Sequence, residues 1–215
     1  MKGERQVDMR PVCIALGYLY GSFLTADLVV RAKTGKHRWD SFGNPGTANV
    51  ASRLGTRYGI IVLCGDILKT VLACICGLLL LPGPERLGVL YAGFGAVIGH
   101  CWPVWKGFRG GKGIACAGTA AVLFSPAIGF GALIGGAAAV LVSGYLALGS
   151  AAIAALLPAL ALLSGRGTQP TAVLAAAGII LLLRHRKNFV QIANGGELCR
   201  NFFLLLKNKS RSEEH

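Results

Sequence analysis

The stretch from Gly113 to Gly165, GIACAGTAAVLFSPAIGFGALIGGAAAVLVSGYLALGSAAIAALLPALALLSG, runs for 53 residues without one Asp, Glu, Lys, Arg or His. At about 1.5 Å per residue it would make roughly 80 Å of helix, enough for two comfortable crossings of a bilayer or three short ones. Ser125-Pro126, Gly135-Gly136 and Gly149-Ser150 offer breaks compatible with either count. The whole chain agrees with this run: 215 residues, 53% hydrophobic, only 14% charged, with 31 glycines and a mean hydropathy of +0.58. Such values exclude an ordinary soluble domain. The expected fold class is an all-α polytopic membrane protein, a single integral membrane domain over residues 1–215.

Working outward, Pro11 to Val30 gives twenty residues in which Asp27 is the only charge, long enough for one crossing. No small-residue cleavage site closes that run and a basic loop follows it, which argues against a removable signal. Tyr58 to Leu81 makes a second crossing, interrupted by Asp66 and Lys69, and Leu87 to Trp105 a third. Downstream of the polar turn Ser164 to Pro170, a last apolar run reaches Leu183 and ends on Arg184, His185, Arg186 and Lys187. Charge selects between the two counts. With three crossings in the long run there are seven in all, and sixteen Lys or Arg share one side, in the 31–57 loop, the 106–112 loop and the tail from 184, against five on the other. Basic loops stay cytoplasmic, so seven helices are expected, with the N-terminus outside and the C-terminus in the cytoplasm. Small residues four apart, such as Gly131 and Gly135, read as close-packing contacts between helices.

A formal net charge of +13 could suggest nucleic acid, but the basic residues flank apolar runs instead of covering a hydrophilic face, so no nucleic-acid partner is expected. Seven cysteines, an odd number, sit mostly inside apolar segments. They read as small buried hydrophobes, and no metal or other cofactor is expected.

Three polar segments emerge on the expected cytoplasmic side. The first runs G-H-C-W-P-V-W-K-G-F-R-G-G-K-G from Gly99 to Gly113. Glycines around a lysine can hold an anion on exposed backbone N–H groups, although Gly113 after Lys112 departs from the Walker A pattern. The same residues also fit a glycine-rich turn with basic anchors. The second, S-F-G-N-P-G-T-A-N-V from Ser41 to Val50 with Arg53 after it, combines a strong turn signal with polar donors. The third places His185 and Asn188 three apart, on one face of any continuing helix, with Glu197 after an Asn-Gly-Gly turn. Together the three segments suit more than one negative charge and offer few bases. Asp66 and Lys69 share a helix face and can neutralise one another, yet charges inside a span usually face a bundle interior or a functional cavity.

In these three segments the chain resembles the bacterial acyl-phosphate:glycerol-3-phosphate acyltransferases, seven-helix membrane enzymes of phospholipid synthesis. That family's motifs are approximately G-S-G-N-x-G-A-T-N-V-x-R, G-H-x-F-P-x-F-x-x-F-x-G-G-K-G-V-A-T and H-x-x-N-x-x-R-L-x-x-G-x-E. The second motif matches best, over Gly99 to Cys116, with Trp at two Phe positions and Cys116 at the Thr. In the third, His185, Asn188, Gly195 and Glu197 match and Gln191 replaces Arg. Asp66 and Lys69 resemble the family's Asp-x-x-Lys. The first motif departs: Phe42 stands at the Ser, with Ser41 one place earlier, Thr47-Ala48 inverts Ala-Thr, and Ser52 stands at the Arg, with Arg53 one later.

The resemblance implies transfer of a fatty acyl group from acyl phosphate to the 1-hydroxyl of sn-glycerol 3-phosphate, in the bacterial cytoplasmic membrane, without metal or acyl-enzyme. It implies Lys112, His185 and Asn188 as catalytic residues. Lys112 and the backbone of Gly110, Gly111 and Gly113 would bind phosphate and stabilise developing charge. Ser41, Gly43, Asn44, Gly46, Asn49 and Arg53 would contact a phosphate, Lys69 and His100 would complete the substrate-binding set, and Glu197 would help His185 and Asn188 orient glycerol phosphate. An organic-anion transporter lined by Asp66 and Lys69 is the alternative, without inverted repeats to support it. A catalytically impaired, lipid-binding relative is another, motivated by Phe42, Ser52 and Gln191.

Overall fold

The computed structural model describes residues 8–35 and 44–195. Ser41, Gly43 and Glu197 lie outside those residues. Among the described residues every regular element is helical: α1 (Arg10–Gly21), α2 (Thr25–Thr34), α3 (Thr47–Leu54), α4 (Thr56–Leu80), α5 (Leu87–Cys101), α6 (Ile114–Phe124), α7 (Pro126–Ser143), α8 (Leu146–Leu163) and α9 (Thr168–Ala193), with a 3-10 turn over Val104–Lys106. The chain divides into two compact units, Met1–Pro126 and Ala127–His215.

Among the described residues five segments are long and apolar enough to cross a bilayer: Arg10–Thr34, Thr56–Leu80, Leu87–Lys106, Pro126–Ser143 and Leu146–Leu163. α6, at 11 residues, reaches only about 16 Å and is short for a crossing by itself. α9 is a 26-residue helix whose last turns carry Arg184, Arg186 and Lys187. The uncharged run does fold as three helices, but unequally. Ser125-Pro126 is a break, as read from the sequence, whereas Gly135-Gly136 and Gly149-Ser150 lie inside α7 and α8. The second break falls instead at Gly144, where φ is +79° and the N–H donates to Val140 O at 2.7 Å. Gly131, Gly135 and Gly136 remain helical because α8 fills the space they leave: Leu160, Leu156 and Ile153 lie where their Cβ atoms would be. This is the close-packing role expected of Gly131 and Gly135.

In the first unit the same device works between backbones. A Cβ on Gly17 or Gly21 of α1 would strike the backbone of Ala92 or Ala96, and one on Gly95 or Gly99 of α5 would strike that of Ile14 or Tyr18. The steps of four advance in the same direction on both helices, so α1 and α5 run parallel. α4 and α5 form an antiparallel hairpin about the Leu81–Arg86 turn, with Gly77 against Gly88. The 44–55 segment and the 102–113 segment therefore emerge at one end of this hairpin, opposite that turn.

Two consequences position the site. α5 has 15 residues and α4 has 25, so α5 ends partway along α4, and the connecting 102–113 segment begins beside α4's Asp66 and Lys69. α6 then starts from that level, and its Leu123 carbonyl accepts a 3.0 Å bond from Arg86, so α6 runs back to the hairpin turn. Pro11–Val30, expected as one crossing, is also interrupted: α1 and α2 are separated at Ser22–Leu24. α2 then packs on α3 and α4 through Ala26, Val30, Val50 and Val62.

Candidate active site

A break in a membrane helix exposes carbonyls that must find partners within the protein. At Ser22–Leu24 they do. The indole N–H of Trp105 donates to Ser22 O at 2.9 Å, and Lys69 Nζ donates to Phe23 O at 2.8 Å. Tyr18 OH, one turn earlier, donates to Trp102 O at 2.8 Å. Just beyond the break, buried Asp27 accepts Lys106 Nζ at 2.6 Å and forms an ion pair with Arg31, whose Nε lies 3.1 Å away. The interrupted first helix and the glycine-rich segment are thus bonded together residue by residue.

Lys69 is 5% exposed. Besides Phe23 O, its ammonium contacts Asp66 Oδ1 at 2.8 Å and His100 Nδ1 at 2.9 Å. The segment after His100 doubles back on α5. Gly111 N donates to His100 O at 2.9 Å and Gly110 N to Cys101 O at 3.2 Å. A Cβ at Gly110 would strike His100 O, and one at Gly111 would strike the imidazole at Nε2. Both glycines are there for close approach. Their amides, expected to face a phosphate, serve the end of α5; half-buried Lys112 follows, and then Gly113, the N-cap of α6 with φ +84°. A helix N-terminus presents N–H groups and a positive dipole end.

The 44–54 segment makes a second such terminus. Asn44 O accepts both Gly46 N and Asn49 Nδ2 at 2.9 Å, closing the turn, and Gly46 is the N-cap of α3. Arg53 Nε donates to Asn49 Oδ1 at 3.3 Å, which lays the exposed guanidinium back along the helix face that carries Asn49, toward that N-terminus. Ser52 is turned to another use: its hydroxyl donates to Asn49 O at 2.8 Å.

In the second unit α9 continues through His185 and Asn188 to Ala193, so the two share a face as the spacing required. His185 is 4% exposed, and its Nδ1 lies 2.8 Å from Leu181 O. A carbonyl only accepts, so Nδ1 carries the proton and Nε2 is the basic end of the ring.

The sequence profile of the glycerol-3-phosphate acyltransferase family matches residues 11–195. The glycerol-3-phosphate acyltransferase of Rubrobacter xylanophilus is 34% identical over 184 residues, 86% of this chain and 92% of that protein. The chain belongs to the glycerol-3-phosphate acyltransferase family. Glycerol-3-phosphate acyltransferase 1 of Lactobacillus acidophilus is 37% identical over 121 residues, which span 55% of this chain and 58% of that protein. The crystal structure of PlsY (YgiH), an integral membrane glycerol 3-phosphate acyltransferase in its glycerol 3-phosphate form, superposes with a TM-score of 0.78 at 25% identity, covering 88% of this chain and 94% of that one. Its lysophosphatidic acid form gives 0.77.

With the family established, the geometry sorts the residues singled out in the sequence. Asn44, Gly46, Asn49 and Arg53 form one bonded unit, and Lys69, His100, Gly110 and Gly111 another that leads to Lys112 and Gly113. His185 and Asn188 belong to the second unit. The family match runs unbroken through both units. Asp27, Tyr18, Ser22 and Trp105 tie the site together without having been singled out. Asp27 did carry a signal, since a lone carboxylate in an apolar run is costly without a partner; the other three act through backbone carbonyls at the break in the first helix and at the end of α5.

Proposed function

We propose that this member of the family takes acyl phosphate as its donor, transferring the fatty acyl group to the 1-hydroxyl of sn-glycerol 3-phosphate to give lysophosphatidic acid and inorganic phosphate. The observation that carries this reading is the pair of glycine-capped helix N-termini at one end of the first unit, one with Arg53 and one with Lys112, in a family whose acceptor is itself a phosphate ester. Two anion sites suit two phosphorylated substrates. Acyl phosphate is already activated, so positioning and charge stabilisation suffice and no acyl-enzyme is needed.

In this mechanism Lys112 and the N-terminus of α6 from Gly113 neutralise charge that develops on the departing phosphate, with Gly110 and Gly111 shaping the turn. The Asn44–Arg53 segment, with Ser41 and Gly43 before it, binds a phosphate. His185 and Asn188, with Glu197, orient glycerol phosphate, and the attacking hydroxyl loses its proton to a substrate phosphate oxygen or to His185 Nε2. The chain crosses the bacterial inner membrane seven times, with its N-terminus outside and its site at the cytoplasmic face.

Purified protein incubated with palmitoyl phosphate and glycerol 3-phosphate should release phosphate, and Lys112→Ala should lower the rate about 10²–10³-fold, as loss of one charge-stabilising group does. Release no faster than that of the variant would refute the reading. Cysteines engineered in the 164–170 loop and in the tail should label from opposite sides of the membrane; labelling from one side would remove the seven-helix topology.

A further inference from the structure

We infer that Asp66, Lys69 and His100 form a buried positioning strut that sets the Gly110–Gly111 turn, and through it Lys112, without touching either substrate. The inference rests on the acyl-phosphate reading above. An ammonium has three N–H donors and no acceptor. Two are engaged inside the protein, with Phe23 O at 2.8 Å and His100 Nδ1 at 2.9 Å, and Asp66 Oδ1 pairs with the ammonium's charge at 2.8 Å. Asp66 Oδ1 also lies 3.7 Å from His100 Nδ1, and all three side chains are at least 95% buried. The charge of Lys69 is thus met within the protein, and its side chain is 5% exposed.

Because Lys69 donates, His100 Nδ1 must accept, and the ring proton resides on Nε2. That edge of the ring is where Gly111 packs, so closely that a Cβ there would overlap Nε2, while Gly111 N is held by the histidine's own carbonyl. Lys112 is the next residue. The strut thus runs from the carbonyl freed by the break in the first helix, through α4, to the turn that aims the catalytic lysine. Misplacement of a catalytic group by about 1 Å can cost 10²-fold in rate, which is the effect such a strut would control.

The test is a double-mutant cycle read by kcat and KM for both substrates. Asp66→Asn/Lys69→Met removes the pair without leaving a buried charge. In the wild-type background it should lower kcat about 100-fold with each KM changed less than threefold, and in a Lys112→Ala background it should lower kcat less than twofold further. Losses that multiply in the two backgrounds overturn the inference, as does a rise in either KM above tenfold with kcat retained, which would make Lys69 a substrate ligand. Should the double variant fail to fold, His100→Asn keeps an oxygen acceptor for Lys69 and removes only the ring edge at Gly111. It should cost about tenfold in kcat, and nothing further in the Lys112→Ala background; an added loss there overturns the strut. Wild-type protein that releases no phosphate overturns the acyl-phosphate reading along with it, whereas multiplying losses in an active enzyme overturn the strut alone.

Discussion

The indole N–H of Trp105 donates to the carbonyl of Ser22 across 2.9 Å, joining the glycine-rich segment to a break in the first helix 83 residues earlier. The bond pairs a carbonyl that the interruption would otherwise leave open. Trp105→Phe keeps the aromatic bulk and loses the donor. An unpaired buried carbonyl costs about 1–3 kcal/mol, and the lower figure applies because Trp105 is 55% exposed. The expected result is a fall of about 2–4 °C in the melting temperature of the detergent-solubilised protein, which a tryptophan-independent thermal assay would register. An unchanged midpoint would mean that the break does not need this bond.

Glycine substitutions separate close packing from mere flexibility. Gly95→Ala drives a methyl group into the backbone of Ile14, whereas Gly83→Ala, in the hairpin turn, meets nothing within 4 Å. Backbone cannot yield as a side chain can, so Gly95→Ala should force α1 and α5 apart and cost at least about 3 kcal/mol, the upper range of overpacking. Gly83→Ala should be neutral. Yields of monodisperse protein and the two melting curves would decide this, and equal behaviour of the two variants would contradict the packing described.

Much of the architecture could be read in the sequence because its causes are local. Apolar run lengths and flanking charge mark membrane segments, and the Gly99–Gly113 and His185–Asn188 spacings single out the segments proposed for the site. What escaped depends on contacts distant in the chain. The interruption at Ser22–Leu24 has no Pro and is sustained by Trp105 and Lys69, so the Pro11–Val30 run reads as one helix until those partners are placed. Gly135-Gly136 reads as a break because glycine is a poor helix former in water, but Ile153 and Leu156 of α8 turn it into an interface. Gly110 and Gly111 read as an open anion cradle, while His100 fills the space in front of them.

Asp27 is the common anionic partner of Lys106 at 2.6 Å and Arg31 at 3.1 Å. Its carboxylate is 9% exposed, against 24% for Lys106 and 37% for Arg31, so solvent weakens the Arg31 side of the cluster more. Asp27→Asn and Lys106→Met, combined in a thermodynamic cycle, should show a coupling of about 1–2 kcal/mol, larger than the few tenths typical of an exposed pair. Denaturant midpoints of the four proteins supply the cycle, and strictly additive midpoints would show the pair to be idle.

Arg53 and Ser52 give opposite expectations although they adjoin. The family pattern has its arginine at position 52, yet Arg53 is the residue whose Nε meets Asn49 Oδ1 and whose guanidinium lies along the first-turn face of α3, while the Ser52 hydroxyl is returned to Asn49 O. A charge-assisted bond to phosphate contributes about 1.5–3 kcal/mol. Arg53→Ala should therefore raise the KM of one of the two phosphorylated substrates about 10–100-fold and identify which one the Asn44–Arg53 segment holds. Arg53→Lys, which keeps the charge but not the fork, should recover part of that loss, and Ser52→Ala should stay within twofold of the parent. Initial-rate measurements with each substrate varied in turn distinguish the cases. A Ser52→Ala defect matching that of Arg53→Ala would show that register 52, not 53, faces the phosphate.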